Sequence, residues 1–328
     1  MAIAGEVVLR QQILSRRERL QAALAASAGA TRLVRLLEEV DSALARMDNG
    51  TYGLCLVCGD PVEADRLAAD PLIQNCVDHL TPDQRRALEQ DLDLASHIQT
   101  ALLPENSLRT GGWEIYHHYD PAGPVSGDYC DLLRPGSDSG SLFFFAGDVS
   151  GKGVAASILM SQLHAIFRSL ADARVSVSEL VARANRVFAN STLSMHYATL
   201  VCGKAGGSGE VEICNAGHCP PFMIHSGQLS RIQATGLPLG LFASGEFSAQ
   251  KLQAATGDTL FLYSDGLSEA RNHADIEYGE ERLVGLLEAN HALPPRELAE
   301  ACLRDLESHL AGAPRTDDLT IMVIRRAV

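Results

Sequence analysis

The stretch LFFFAGDVSGKGVAASILM, residues 142–160, decides how the rest of the chain is read. Leu142 to Phe145 are four bulky apolar residues in succession, which suits a strand buried on both faces. From Val154 the composition suits an apolar helix. Between them Gly147-Asp148-Val149-Ser150-Gly151-Lys152-Gly153 makes a glycine-rich turn headed by an acid. A Walker phosphate loop is the first candidate, and its spacing fails. The leading glycine of G-x-x-x-x-G-K-[ST] falls on Ala146, and Gly153 stands where Ser or Thr would hold magnesium. What remains is Asp148, a carboxylate at the end of a core strand.

The 328 residues leave room for one large domain and a smaller one, and 46% hydrophobic residues can build a sizeable core. No apolar run approaches the roughly 18 residues of a membrane span. The N-terminus, MAIAGEVVLRQQ, is too polar for a signal peptide, so a cytoplasmic location is expected. A net charge of −14 speaks against a nucleic-acid-coating surface. Cys55, Cys58 and Cys76 cluster, whereas Cys130, Cys202, Cys214, Cys219 and Cys302 are scattered as ordinary core residues are.

Residues 1–49 read as a pair of helices, 6–26 and 31–47, broken at Ser27–Ala30. Leu33, Leu36, Leu37, Val40, Leu44 and Met47 mark the second at helical spacing. Residues 50–80 change character. Cys55-x2-Cys58, seventeen intervening residues and Cys76-x2-His79 supply the four donors of a closed tetrahedral zinc site. This segment resembles the DksA/TraR zinc finger in Tyr52-Gly53-x-Cys55-x2-Cys58-Gly59, Pro61, Arg66-Leu67 and Ala69-x-Pro71. That family ends its finger on cysteine. Here His79 takes the place, with Asp78 as a weaker alternative donor, and one structural zinc is expected. The helical break carries no acid at its tip, which argues for a fold or interaction module without the family's action inside RNA polymerase.

Residues 81–104 read as a linker helix. Thr81 is its N-cap, Pro82 opens its first turn and Gln84 closes a capping box. Leu88, Leu92, Ala95, Ile98 and Leu102 form an apolar seam, so a homodimer through residues 82–103 is expected. Residues 105–328 run strand after strand with helices inserted in blocks, not in regular alternation, an α+β pattern. Strands are predicted at Glu114–Tyr119, Leu142–Val149, Tyr197–Gly203, Glu210–Asn215, Thr259–Tyr263 and Leu319–Ile324, and helices at Val154–Ala171, Val177–Ser191, Glu280–Ala289 and Pro295–Leu310. Four acids end strands or loops: Asp128, Asp148, Asp265 and Asp317, the last followed by Asp318. Converging carboxylates repel unless cations neutralise them, and hard oxygen ligands suit magnesium or manganese.

PVSGDYCD, FFFAGDVSGKGVAASILM, NAGHCPP, TGLPLG, LYSDGLSEA and TDDLTIMVI occur in this order. Together they resemble the motifs of SpoIIE/RsbU-type serine/threonine phosphatases of the metal-dependent (PPM) superfamily, over residues ~90 to 328. The resemblance implies an α-β-β-α sandwich with two or more Mn or Mg ions at one edge. On that resemblance Asp148 is expected to bridge the ions, the carbonyl of Val149 to bind one of them with Asp128 holding the same ion directly or through water, and Asp265 and Asp317 to complete the shell of the other. The chemistry implied is in-line hydrolysis of phosphoserine or phosphothreonine by a metal-activated water, without a covalent enzyme intermediate. The expected substrate is a phosphorylated STAS-type anti-sigma-factor antagonist in a bacterial partner-switching pathway. No histidine follows Asp148, so the leaving-group proton is unassigned. His218 is the candidate donor, with a structural, loop-capping role as the favoured alternative. No arginine phosphate clamp can be placed. A zinc-finger transcription regulator and a catalytically silent binding module are the competing readings.

Overall fold

The computed structural model describes residues 2–26, 31–135, 141–192 and 196–327, so the expected break at Ser27–Ala30 lies outside the described residues. The chain divides into two compact units, Met1–Asp91 and Leu92–Val328. None of the described helices is long and apolar enough to cross a membrane.

In the first unit α1 (Ala2–Ala26) packs along α2 (Thr31–Asp48). Ile13 of α1 meets Val40, Ala43, Leu44 and Met47 of α2 in a small apolar core, with Tyr52 and Leu72 against it. Arg46, buried near the end of α2, donates to the carbonyls of Thr51 and Leu54 and so ties the helix to the cysteine-bearing segment. That segment holds the short α3 (Ala64–Ala69) and a 3-10 turn at Val77–His79. Its core is Cys55, Val62 and Cys76, with Leu67 and Ile73 packed beside them. A structure with so little to bury needs a staple.

Helix α4 (Pro82–Leu102) begins with the expected capping box. Thr81 Oγ1 accepts from the Gln84 backbone at 3.2 Å, and Gln84 Oε1 accepts from the Thr81 backbone at 3.0 Å. The seam is not turned inward. Leu88 and Ile98 are exposed and Leu92, Ala95 and Leu102 half-buried, while the one buried side chain of α4 is Gln99.

The second unit continues with β1 (Ser107–Thr110), β2 (Trp113–Asp120), β3 (Asp128–Leu133), β4 (Leu142–Val149), α5 (Gly153–Leu170) and α6 (Val177–Ser191). Next come β5 (Ala198–Ala205), β6 (Glu210–Ala216), β7 (Phe222–His225), β8 (Gln228–Arg231), β9 (Gln250–Gln253) and β10 (Thr259–Tyr263). The chain closes with α7 (Asp265–Ser268), α8 (Glu280–Asn290), α9 (Pro295–Leu310) and β11 (Leu319–Arg326). The strands form two antiparallel sheets, ordered β1-β2-β11-β10-β7-β8 and β3-β4-β5-β6-β9.

Side-chain alternation assigns the layers. Phe143 and Phe145 point to α5 and α6, against Met160, Leu163, Phe167, Leu180 and Phe188. Phe144 and Ala146 point the other way and join Trp113, Leu260, Leu262, Met322 and Ile324 between the sheets. On the second sheet Phe261, Tyr263, Ile321 and Val323 face Leu283, Leu287, Leu298, Cys302 and Leu306 of α8 and α9. The layers are therefore helix, sheet, sheet, helix. Each central strand is buried on both faces, which is why LFFFA and LTIMVI read as continuous apolar runs instead of alternating ones. Fully burying each such side chain contributes about 1.5–3 kcal/mol, so the two sheets are held chiefly by apolar contact across three interfaces.

Candidate metal centre

The acids gather because strand ends do. In the β3–β4 pair Asp128 lies directly opposite Asp148. Asp148 also faces Thr199 on β5. Asp265 begins α7 straight after β10, and Asp317 and Asp318 precede β11, the neighbour of β10. Acids from both sheets thus meet at one edge of the sandwich.

Two glycines make the gathering possible. A methyl group on Gly266 would lie 1.9 Å from the Asp318 carbonyl oxygen, so the Asp265 turn can pack on the 317–318 backbone only without a side chain. A methyl group on Gly127 would lie 3.0 Å from the Val149 carbonyl oxygen and 3.3 Å from Asp148 Oδ1. It would intrude on the space between the two groups expected to hold an ion. Gly127 and Gly266 are therefore close-approach positions.

The acids differ in what they already hold. Asp318 accepts from the backbone of Ala122 at 2.8 Å and of Gly127 at 2.9 Å, bracing the loop that leads to Asp128. Asp128 is buried and accepts from Thr320 Oγ1 at 2.5 Å. Asp317 Oδ2 receives the Lys152 ammonium at 2.9 Å. Burial pushes the Asp148 carboxyl up to about 7, and Asp265, Asp317 and Asp318 add repulsion. Burial likewise holds Asp128 well above the usual carboxylate range, with Asp148 and Asp318 contributing, and raises Asp265, with Asp317 contributing. Oxygen-only donors crowded until they resist ionisation are the donor set of a hard divalent cation.

Behind the cluster, His218 is buried. Its Nδ1 lies 2.9 Å from Thr199 Oγ1, and its buried Nε2 has no hydrogen-bond partner among the described residues. Burial lowers its pKa to about 4, so the ring is neutral at physiological pH. A neutral imidazole packed between β5 and the end of β10 fits a structural role better than a proton donor.

Sequence reasoning missed Gln99, Ser126 and Thr320. The Gln99 amide pairs with both backbone groups of Ser126: Nε2 donates to the carbonyl at 2.7 Å and Oε1 accepts from the N–H at 2.9 Å. Ser126 Oγ then accepts from the Asp128 N–H at 3.0 Å. Helix α4 thereby grips the loop that carries Asp128. A lone glutamine beside an apolar seam gave no signal of this, whereas Thr320 stood visible three residues after Asp317.

In the first unit the ligand atoms of Cys55, Cys58, Cys76 and His79 all lie within 4.8 Å of one another. Cys58 Sγ is 3.8 Å from Cys76 Sγ, and Cys76 Sγ is 3.1 Å from His79 Nδ1. Three thiols and an imidazole at such spacing suit zinc.

Two stacked antiparallel sheets between helices, with acids at one edge, are the fold shared with solved PP2C phosphatase domains. The model of the Stage II sporulation protein E (SpoIIE) family matches residues 138–327, and the chain belongs to that family. It is 27% identical over 265 residues to Protein IcfG of Synechocystis sp., covering 72% of this chain and 41% of that protein. To Phosphoserine phosphatase RsbU of Bacillus subtilis it is 25% identical over 257 residues, covering 74% of this chain and 72% of RsbU. The chain thus spans about two fifths of the one relative and under three quarters of the other. Among solved structures, the SiaA-PP2C domain of Pseudomonas aeruginosa superposes with a TM-score of 0.64 at 20% identity, over 74% of this chain and 98% of that domain.

The raised Asp148 carboxyl has a measurable consequence. Between about pH 4 and about pH 7 the folded protein holds a proton there that the unfolded chain has released, so this group's contribution to stability is lost as pH rises through that window. In protein dialysed free of magnesium and manganese, Asp148→Asn should therefore melt above wild type by a margin that widens from pH 4 to pH 7. A margin independent of pH would show that Asp148 titrates normally.

Proposed function

We propose that the chain hydrolyses phosphoserine or phosphothreonine on a protein, using two or more divalent ions, manganese or magnesium, held by Asp128, Asp148, Asp265, Asp317 and the Val149 carbonyl. The observation that carries this reading is the convergence of mutually repelling carboxylates from both sheets on one edge. Once bound, the ions would supply positive charge against the phosphoryl oxygens and acidify water for in-line attack. The chain's own part is placement. Thr320 fixes the Asp128 carboxylate, Asp318 and Gln99 hold the loop before it, and His218 supports Thr199 behind Asp148. The similarity to RsbU supports a phosphoserine protein as substrate. Within that class we place a STAS-type antagonist of an anti-sigma factor, in a cytoplasmic partner-switching pathway.

The first unit is read as a regulatory module with one structural zinc on Cys55, Cys58, Cys76 and His79, a DksA/TraR-like finger. The exposed seam of α4 is read as a dimer contact, because a helix with one buried residue in 21 has little tertiary packing to keep it helical. Pairing there would reach Asp128 through Gln99 and Ser126.

Three experiments test these assignments. Asp148→Asn should lower manganese-dependent hydrolysis of p-nitrophenyl phosphate about a thousandfold while leaving the protein folded. Activity within threefold of wild type would overturn the site. Elemental analysis should find about one zinc per chain, lost in Cys55→Ser and kept in His79→Cys; reduced protein without zinc would rule the finger out. Light scattering should find a dimer that Leu92→Glu with Ile98→Glu converts to monomer, with altered phosphatase activity. A dimer that survives the double substitution would move the contact off α4.

A further inference from the structure

The turn between β4 and α5 holds Lys152, one of three lysines among 27 basic residues. Its ammonium lies 2.9 Å from Asp317 Oδ2 and 2.9 Å from the Thr316 carbonyl oxygen. Two other cations stand near this edge, in a small cavity of about 140 Å³ lined by Glu269, Arg271, Arg315 and Asp317. Both hold acids outside the cluster. Arg315 pairs with Asp120 at 2.5 Å, and Arg271 with Asp275 and Glu277. Lys152 differs in that its acid partner belongs to the cluster itself.

That difference sets up an exchange. A divalent ion entering at Asp317 takes the charge that Lys152 now neutralises and repels the ammonium from it. The side chain is 68% exposed, so it can leave without opening the core. Its backbone stays at the edge. The Ser150 N–H donates to the Tyr197 carbonyl at 2.9 Å, Ser150 Oγ accepts from the Tyr197 N–H at 2.9 Å, and α5 starts at Gly153. The released ammonium therefore remains beside the ions, at the N-cap of an 18-residue helix whose positive end adds to the local field. Lysine binds phosphate as a mobile point charge.

The geometry points to Lys152 as an exchangeable cation: it holds Asp317 until a divalent ion takes that carboxylate, and then binds the phosphoryl group of the substrate. This would supply the phosphate-directed charge for which no arginine could be placed. The inference rests on the metal-site reading above and adds a second role to one residue of the same edge.

The test is manganese titration of the full chain by calorimetry, in wild type, Lys152→Met and Lys152→Arg. Removing the competing ammonium should tighten manganese binding at the Asp317 position about 1.5- to fivefold in Lys152→Met, the range expected from an exposed ion pair. Lys152→Arg should stay near wild type. In the manganese-loaded proteins, inhibition by inorganic phosphate should weaken several-fold in Lys152→Met and persist in Lys152→Arg. Manganese affinity unchanged or weakened in Lys152→Met would overturn the exchange, and phosphate inhibition unchanged there would overturn the phosphoryl contact. No manganese binding by wild type would overturn the metal site itself, and the exchange with it.

Discussion

Repulsion among partly buried carboxylates is the constraint around which the second unit is built. Asp128 and Asp148 are locked opposite each other by strand register, and Asp265 and the 317–318 pair arrive from the other sheet. None can move away without breaking a ladder or the packing behind it. The chain tolerates the repulsion because the rest of the unit is well packed: aromatic residues from both faces of β4 are buried in two separate apolar layers. Local strain of this kind persists where surrounding structure over-determines it, and it marks sites awaiting a ligand of opposite charge.

Much of this frame was legible in the sequence, for a physical reason. Strands buried on both faces, such as Leu142–Val149 and Thr259–Tyr263, are apolar throughout, and the helices at Val177–Ser191 and Pro295–Leu310 carry strong caps or periodicity. Their observed limits coincide with those expected. The strands that escaped notice are short or edge elements: β1, β7, β8 and β9 have four residues each, too few to show a period. β3 escaped for another reason. Its sequence DYCDLL holds two acids yet is almost wholly buried, because Asp131 is paired with Arg168, 37 residues away. A partner that distant leaves no local trace.

Helix α4 shows what periodicity leaves out. Apolar spacing marked Leu88, Leu92, Ala95, Ile98 and Leu102 as a seam for a second copy, and the position buried within the chain is Gln99. An amide can satisfy an N–H and a carbonyl at once, so a glutamine suits a face that meets the backbone of a loop, where leucine would leave both groups unpaired. Gln99 lies four residues after Ala95 and seven after Leu92, so it shares the face of the stripe; the C-terminal end of that face meets the loop before Asp128, while Leu88 and Ile98 stay exposed.

Among acids so close in sequence, what separates a ligand from a brace is how many donors each has already engaged. Asp318 has two backbone N–H groups, and Asp131 has Arg168 and the Leu132 N–H. Asp305 has Arg282 and the Tyr278 hydroxyl. These carboxylates have engaged their oxygens and have little left to offer an ion. Asp148 and Asp265 have chiefly burial and other carboxylates around them, which raises both. Asp317 has an exposed ammonium on Oδ2 and the Asp318 N–H on Oδ1. The adjacent pair Asp317 and Asp318 thus differs in what each is tied to, although nothing in the dipeptide itself distinguishes them. The division follows from β11, which turns one carboxylate back onto the 122–127 loop and leaves the other at the open edge.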